Sequence, residues 1–289
     1  MIWHIPIFLR IITGDIISKI LIKKITGLPS RTRRLCWQFF FAMIFSYILA
    51  FFMENLSIGH AWLIIAIIGI FNSYGAYCQW RAIDISLSKK SLFTQSDDLI
   101  TMLLGYVILD ETKILNIGIV AGLIICLGAA GSILWFDRKS KNYRNMELLK
   151  WVAGFSIVWG FAIFSIRFFA IKNISATTFL TAWYSGAYIG SLLILLLSGK
   201  KEAGEKLDLA GISSGLALAS CIWPPLFLGY WTYTINYITI AQPFFMISEI
   251  IFPTMLGLFY FHEIKTITKA QKNAFAIAIL GIIIIALSY

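Results

Sequence analysis

One segment of the chain occurs twice, and both copies carry acidic side chains inside an apolar stretch. The first copy contains Ser96-Asp97-Asp98, Leu104-Gly105 and Glu111-Thr112-Lys113, and the second contains Ser248-Glu249, Leu256-Gly257 and Glu263-Ile264-Lys265. Corresponding residues such as Asp97 and Glu249 lie 152 positions apart throughout. A duplicated membrane segment with a buried acid indicates a transporter built from two repeats.

The composition excludes an ordinary soluble domain. The chain is 59% hydrophobic and 13% charged, with a mean hydropathy of +0.83, whereas soluble domains have about 25% charged residues. Met1–Lys24 lacks a basic leader and a small-residue cleavage site, which predicts a first span that is retained. The sequence therefore predicts an all-α integral membrane protein.

Cutting the apolar stretches at charges, Gly, Pro and Asn predicts ten transmembrane helices. They are expected near 2–22, 35–53, 61–82, 91–109, 114–135, 149–171, 176–197, 209–234, 240–261 and 268–288. A basic connecting loop, 138–148, separates a first five-helix repeat (1–137) from a second (149–289). Because five is odd, the second repeat enters the membrane from the opposite side, and the two repeats are predicted to be inverted.

Lysine and arginine residues predict the orientation. Odd-numbered loops carry 18 of them, including Lys89 and Lys90, and even-numbered loops carry only Lys113 and Lys172. The positive-inside rule then puts the odd loops in the cytoplasm and both termini outside a plasma (inner) membrane. The net charge of +10 is thus explained by topology, and no basic face suited to nucleic acid is expected.

The segments LGYVILDETKILNIGIVAGLIICLGAAG (104–131) and LGLFYFHEIKTITKAQKNAFAIAILG (256–281) resemble the closing signature of EamA-type repeats. The chain thereby resembles the ten-helix branch of the drug/metabolite transporter superfamily. That resemblance implies a secondary transporter with a central cavity and alternating access, whose relatives carry amino acids, amines, nucleotide sugars and other metabolites. The family usually keeps both termini in the cytoplasm, opposite to the orientation that the charges predict here.

Three carboxylates are the leading candidates for binding a substrate or a proton. Asp97, Asp98 and Glu249 fall near the middle of predicted spans, where a charge costs at least about 2.5–3.5 kcal/mol and normally faces a cavity or a partner. The duplication puts Asp97 and Glu249 at equivalent depth, so inverted repeats bring them to the shared interface. The alternative, left open, is structural pairing with a buried base.

Four further charges are predicted to be buried counter-ions. Asp15 and Lys19 lie four residues apart on the first span and share a helix face, with Arg10 on a neighbouring face. Arg167 is a rough counterpart of Lys19 in the sixth span. For Lys19 and Arg167 the alternative role is binding an anionic group of the substrate.

Aromatic residues and prolines complete the candidate site. Tyr77 and Trp80 on the third span, and Tyr230 and Tyr233 on the eighth, are positioned to line a cavity and hold a cationic group, with helix packing or an interfacial belt as the alternative. Pro224 and Pro225 are predicted to interrupt the eighth helix and act as a hinge.

Small residues and two glutamates have structural predictions. Gly118-x-x-x-Gly122 and Gly186-x-x-x-Gly190 predict close helix contacts. Glu111 and Glu263 are expected to stabilise the N-terminus of the last helix of their own repeat.

The predicted function is alternating-access transport of a small polar metabolite such as an amino acid or amine, with proton coupling as an option. A lipid or lipid-linked solute translocase on the same fold is the main alternative. An intramembrane enzyme is disfavoured, because His4, His60 and His262 are scattered and no catalytic motif is present. No cofactor and no metal are predicted. The expected partners are a small-molecule substrate, protons and the lipid bilayer, with the chain a monomer or homodimer.

Overall fold

The structure is a computed structural model, and it describes residues 4–26, 30–93, 95–111, 116–139, 143–198, 209–263 and 268–288. All regular secondary structure within these ranges is helical. The α-helices are α1 (His4–Arg10), α2 (Ser18–Thr26), α3 (Arg31–Met53), α4 (His60–Ile85), α5 (Leu87–Phe93), α6 (Gln95–Ile108), α7 (Ile117–Lys139), α8 (Tyr143–Ile171), α9 (Ala176–Leu197), α10 (Leu209–Ile235), α11 (Ile238–Met255) and α12 (Lys269–Leu287). Two π-helical segments, Ile11–Ile17 and Leu256–Tyr260, join α1 to α2 and extend α11.

Six helices in the described ranges are long and apolar enough to cross a membrane. They are α3, α4, α9, α10, most of α8 (Met146–Ile171) and α11 with its π-helical extension (Ile238–Tyr260). These six coincide with predicted spans, whereas the other four predicted spans remain predictions. Most of the predicted loop 138–148 is helical, because α7 extends to Lys139 and α8 begins at Tyr143. Residues 140–142 lie outside the described ranges.

The helices form two compact units that do not follow the sequence halves. The first unit comprises Met1–Trp80 and Ser165–Ile235, and the second comprises Arg81–Phe164 and Asn236–Tyr289. Each unit therefore takes helices from both predicted repeats. Two of the three boundaries fall inside α4 and α8, each of which contributes to both units, and the third follows the end of α10.

Glycines allow close helix packing inside each unit, as the sequence predicts. In the first unit, a Cβ at Gly186 would lie 1.8 Å from the Ala66 carbonyl oxygen of α4. In the second, a Cβ at Gly122 would lie 2.6 Å from the Gly281 carbonyl oxygen of α12. Any larger side chain would push these backbones apart, so the small-residue spacing is confirmed as a packing feature.

The two prolines of α10 do not interrupt it. Pro224 and Pro225 both lie inside a helix that runs from Leu209 to Ile235. The Pro225 side chain packs against the π-helical segment of the first unit, 3.3 Å from where a Cβ at Gly14 would be. The helix is therefore continuous across two residues that lack backbone N–H donors.

Candidate functional site

The second unit brings three carboxylates together. One carboxylate oxygen from each of Asp97, Asp98 and Glu249 lies within 4.8 Å of the other two. Asp97 is 1% exposed, Asp98 is 0% exposed and Glu249 is half-buried. We call these three residues the acid cluster. Oxygens at this spacing can jointly contact one hard cation, which proteins bind through oxygen ligands.

Close contact between α6 and α8 positions the acids. Asp97 and Asp98 occupy the first turn of α6. A Cβ at Gly160 of α8 would lie 3.1 Å from the Asp97 carbonyl oxygen, and Thr101 donates its hydroxyl to the Gly160 carbonyl at 3.0 Å. Glycine at position 160 is therefore required for α8 to approach this turn.

Sequence reasoning missed two buried polar side chains in the same unit as the acids, Gln242 and Lys90. Gln242 donates its side-chain amide to the Asp98 carboxylate. Lys90 is 2% exposed and its ammonium lies 4.3 Å from the centre of the Phe155 ring. Each precedes an acid by seven residues, Lys90 before Asp97 and Gln242 before Glu249, so the duplication makes them counterparts. That two-turn spacing was the available signal.

The prediction that Lys89 and Lys90 lie in a loop is wrong. Both belong to α5, where they are 9% and 2% exposed. Their charges suggest a span beginning at residue 91, whereas the helix begins at Leu87. The orientation that the positive-inside rule gives stays a prediction.

The predicted aromatic residues belong to the first unit, whereas the acid cluster belongs to the second. Tyr230 is 2% exposed, donates its hydroxyl to the Ile174 carbonyl at 2.5 Å and stands 4.7 Å from Phe179 between ring centroids. Tyr233 is 1% exposed, and Tyr77 is half-buried. Trp80 is 1% exposed, so its ring packs inside the protein and does not form an interfacial belt.

The predicted counter-ions also lie in the first unit. Arg167 is 8% exposed and donates to the Tyr233 carbonyl at 2.5 Å. Asp15 is 4% exposed within the π-helical segment Ile11–Ile17, while Lys19 and Arg10 are half-buried. The structure therefore gives Arg167 a structural hydrogen bond to backbone, and the predicted pairing of Asp15 with Lys19 remains a prediction.

Glu263 caps the first turn of α5. Its carboxylate accepts hydrogen bonds from the backbone N–H groups of Leu87 (3.0 Å) and Ser88 (2.9 Å), and from the hydroxyls of Ser86 (2.8 Å) and Ser88 (2.6 Å). These bonds satisfy backbone donors that a helix N-terminus leaves without intrahelical partners. We call this arrangement the Glu263 clasp.

Glu111 makes the corresponding arrangement with α11, which we call the Glu111 clasp. Its carboxylate accepts from the backbone N–H (3.2 Å) and the hydroxyl (3.1 Å) of Thr239. The expectation that each glutamate stabilises the last helix of its own repeat is wrong, since each caps a helix of the other half of the chain. Local sequence cannot reveal a partner 128 residues away.

The repeated Leu-Gly pair lies beside these clasps. A Cβ at Gly257 would lie 2.7 Å from the Ser88 nitrogen, and a Cβ at Gly105 would lie 2.6 Å from the Ile238 side chain. Glycine at both positions therefore lets the capped helix approach closely enough to reach the glutamate. The duplicated sequence pattern thus encodes two similar tertiary contacts.

Together these features define a multi-pass helical membrane protein with a carboxylate cluster inside one of its compact units. The EamA-like transporter family model matches residues 13–134, which confirms the resemblance seen in the sequence and is consistent with the drug/metabolite transporter superfamily. The match covers less than half of the chain and is to a family of membrane transporters.

A solved structure supports the same fold. A solved chain described as "Crystal structure of protein" aligns with 99% of this chain over 96% of its own length, with a TM-score of 0.63 and 14% sequence identity. At that identity the match shows a shared fold alone. No curated protein matches the chain in sequence.

Proposed function

We propose that the protein is a secondary transporter that moves a small polar metabolite with a positively charged group, such as an amine or an amino acid. The observation that carries this proposal is the acid cluster. Three carboxylates within 4.8 Å of one another attract a cation or a proton, and charges within apolar spans are costly enough to be kept for such a role. The Gln242 amide orients the Asp98 carboxylate for this task.

The proposed architecture has ten transmembrane helices in two inverted five-helix repeats. Both termini lie outside a plasma (inner) membrane. The two clasps support the repeat relationship, because Glu111 and Glu263 occupy equivalent positions and each caps a helix of the other half. A reporter fused after Tyr289 tests the orientation, and a cytoplasmic signal would contradict it.

The mechanism we propose is alternating access with proton coupling through the acid cluster. Proton uptake reduces the repulsion among the carboxylates and lets the emptied site return across the apolar barrier. A substrate cation does the same when it occupies the site. The cavity-lining role of Tyr77, Trp80, Tyr230 and Tyr233, which all belong to the first unit, stays a prediction.

Purified protein in liposomes tests this function. Thermal-shift screening against amino acids, amines and nucleosides first identifies a ligand, since a ligand stabilises the folded state by mass action. Uptake of that ligand is expected to saturate and to collapse with a proton ionophore, and Glu249→Gln is expected to reduce it sharply. Fluorescent-lipid movement without solute uptake would instead support a lipid translocase.

A further inference from the structure

The two copies of the repeated segment end in the same way but differ in helical register. Asp110 and His262 are counterparts, both have left-handed backbone conformations (φ 54° and 56°), and each immediately precedes the clasp glutamate. Before them, the Leu109 N–H donates to the Gly105 carbonyl, four residues back. Its counterpart, the Phe261 N–H, donates to the Leu256 carbonyl, five residues back.

Local sequence does not account for this difference. The segments are Leu104–Ile108 (LGYVI), which is α-helical, and Leu256–Tyr260 (LGLFY), which is π-helical. Both begin with Leu-Gly and continue with large apolar residues. Single π-turns inside α-helices are rare and occur often at functional sites. Because the two local sequences are alike, a contact outside the segment has to select the π register.

The two clasps differ in the side chains that donate hydrogen bonds to the glutamate, and this difference accompanies the difference in helical register. The π-helical copy ends in the Glu263 clasp, which has four hydrogen bonds. The α-helical copy ends in the Glu111 clasp, in which Thr239 donates its backbone N–H and its hydroxyl. Ser86 and Ser88 supply two hydroxyl donors to Glu263, whereas the side chains of their counterparts Ile238 and Ile240 have no hydroxyl. These two serine hydroxyls therefore distinguish the clasp that follows the π-helical segment.

We propose that Leu256–Tyr260 is a register switch that couples the acid cluster to the Glu263 clasp. When the clasp opens, this segment adopts the α register of its counterpart. The hydrogen-bond register then changes by one residue. This change rotates α11 by about 100° relative to the clasped end and shifts it along its axis by about 1.5 Å. Glu249 lies on α11, two turns before the segment, so the turn moves it relative to Asp97 and Asp98. The inference rests on the proposed alternating-access function, in which cation or proton binding and opening of one face are linked.

Hydrogen exchange of the full-length protein in nanodiscs tests the clasp without any substrate. The Ser86→Ala/Ser88→Ala double variant is expected to accelerate amide exchange in a peptide covering 256–263 by about tenfold, because the π register loses its support. Exchange in a peptide covering 104–111 is expected to stay unchanged. Thr239→Val, at the other clasp, is the matched control and is expected to act only on 104–111. Unchanged exchange at 256–263 in the serine variant would overturn the proposal.

Two single-residue deletions test the register itself. Phe259 and Val107 are counterparts with exposed side chains (60% and 73%), so removing either side chain costs little packing. Deleting Phe259 is expected to convert the π-turn to a regular α-turn and to keep a near-native melting temperature. Deleting Val107 is expected to turn Glu111 away from α11 and to lower the melting temperature sharply. Equal destabilisation by the two deletions would contradict the switch.

A separate measurement tests the coupling between the segment Leu256–Tyr260 and the acid cluster. Glu249→Gln is expected to change exchange at 256–263 by about fivefold or more, whereas Ser248→Ala, which removes the hydroxyl that donates to the Phe245 carbonyl within α11, is expected to have no effect. Equal behaviour of the two variants would overturn the coupling. Because exchange needs no transported solute, failure to find uptake would reject the proposed function and leave these results interpretable.

Discussion

The two compact units use buried charge in different ways. In the second unit, three carboxylates lie within 4.8 Å of one another. In the first, the buried Arg167 guanidinium donates to the backbone carbonyl of Tyr233. A cation bound to a backbone carbonyl stabilises the fold, whereas clustered carboxylates attract a cation or a proton. We therefore expect variants of the acid cluster to change transport, and variants of buried side chains in the first unit, its two prolines excepted, to change stability.

The largest effect is expected from Asp97→Asn. Losing one charged contact to a bound cation costs about 2–3 kcal/mol, so proton-driven uptake is expected to fall roughly 30- to 150-fold. Removing one like charge from the cluster is expected to leave the melting temperature equal or higher. Uptake in liposomes and thermal unfolding in detergent measure the two effects. Full uptake at normal expression would remove the distinction between the units.

Arg167→Met tests the first unit. The substitution leaves the buried Tyr233 carbonyl without this donor, which is expected to cost about 1–3 kcal/mol of unfolding free energy. Uptake per folded molecule is expected to be retained, and Arg167→Lys, which keeps a donor, is expected to be milder. Thermal unfolding with transport normalised to folded protein measures this. Normal stability with lost uptake would assign Arg167 to an anionic group of the substrate.

Pro224→Ala combined with Pro225→Ala tests whether the first unit also contributes to motion. Because α10 is continuous through both prolines, the double variant is expected to stiffen it and slow uptake several-fold, with ligand binding retained. Initial uptake rates and thermal-shift affinities separate the two effects. A wild-type rate would show that the prolines are only tolerated within the helix.

The smallest effect is expected from Tyr230→Phe. The change removes the hydroxyl that donates to the Ile174 carbonyl but keeps the ring contact with Phe179, so stability is expected to fall by about 1 kcal/mol. Uptake is expected to change little. A large loss of substrate affinity in stable protein would place this hydroxyl in the binding site and contradict the expected difference between the two units.

The sequence by itself determined the helical class of the protein and the main repeated features. Apolar length located helices, small-residue spacing located close packing, and the 152-residue offset paired Asp97 with Glu249 and Glu111 with Glu263. These features are periodic or repeated along the chain, so they can be recognised without knowing which helices meet.

Only the tertiary structure decided the partners and the register. It buried Lys89 and Lys90, directed Gln242 to Asp98, and gave each clasp glutamate a helix from the other half of the chain. It also gave similar segments, Leu104–Ile108 and Leu256–Tyr260, different hydrogen-bond registers. The physical reason is that these outcomes depend on contacts between residues more than a hundred positions apart, whose energies outweigh the small differences in local helical preference.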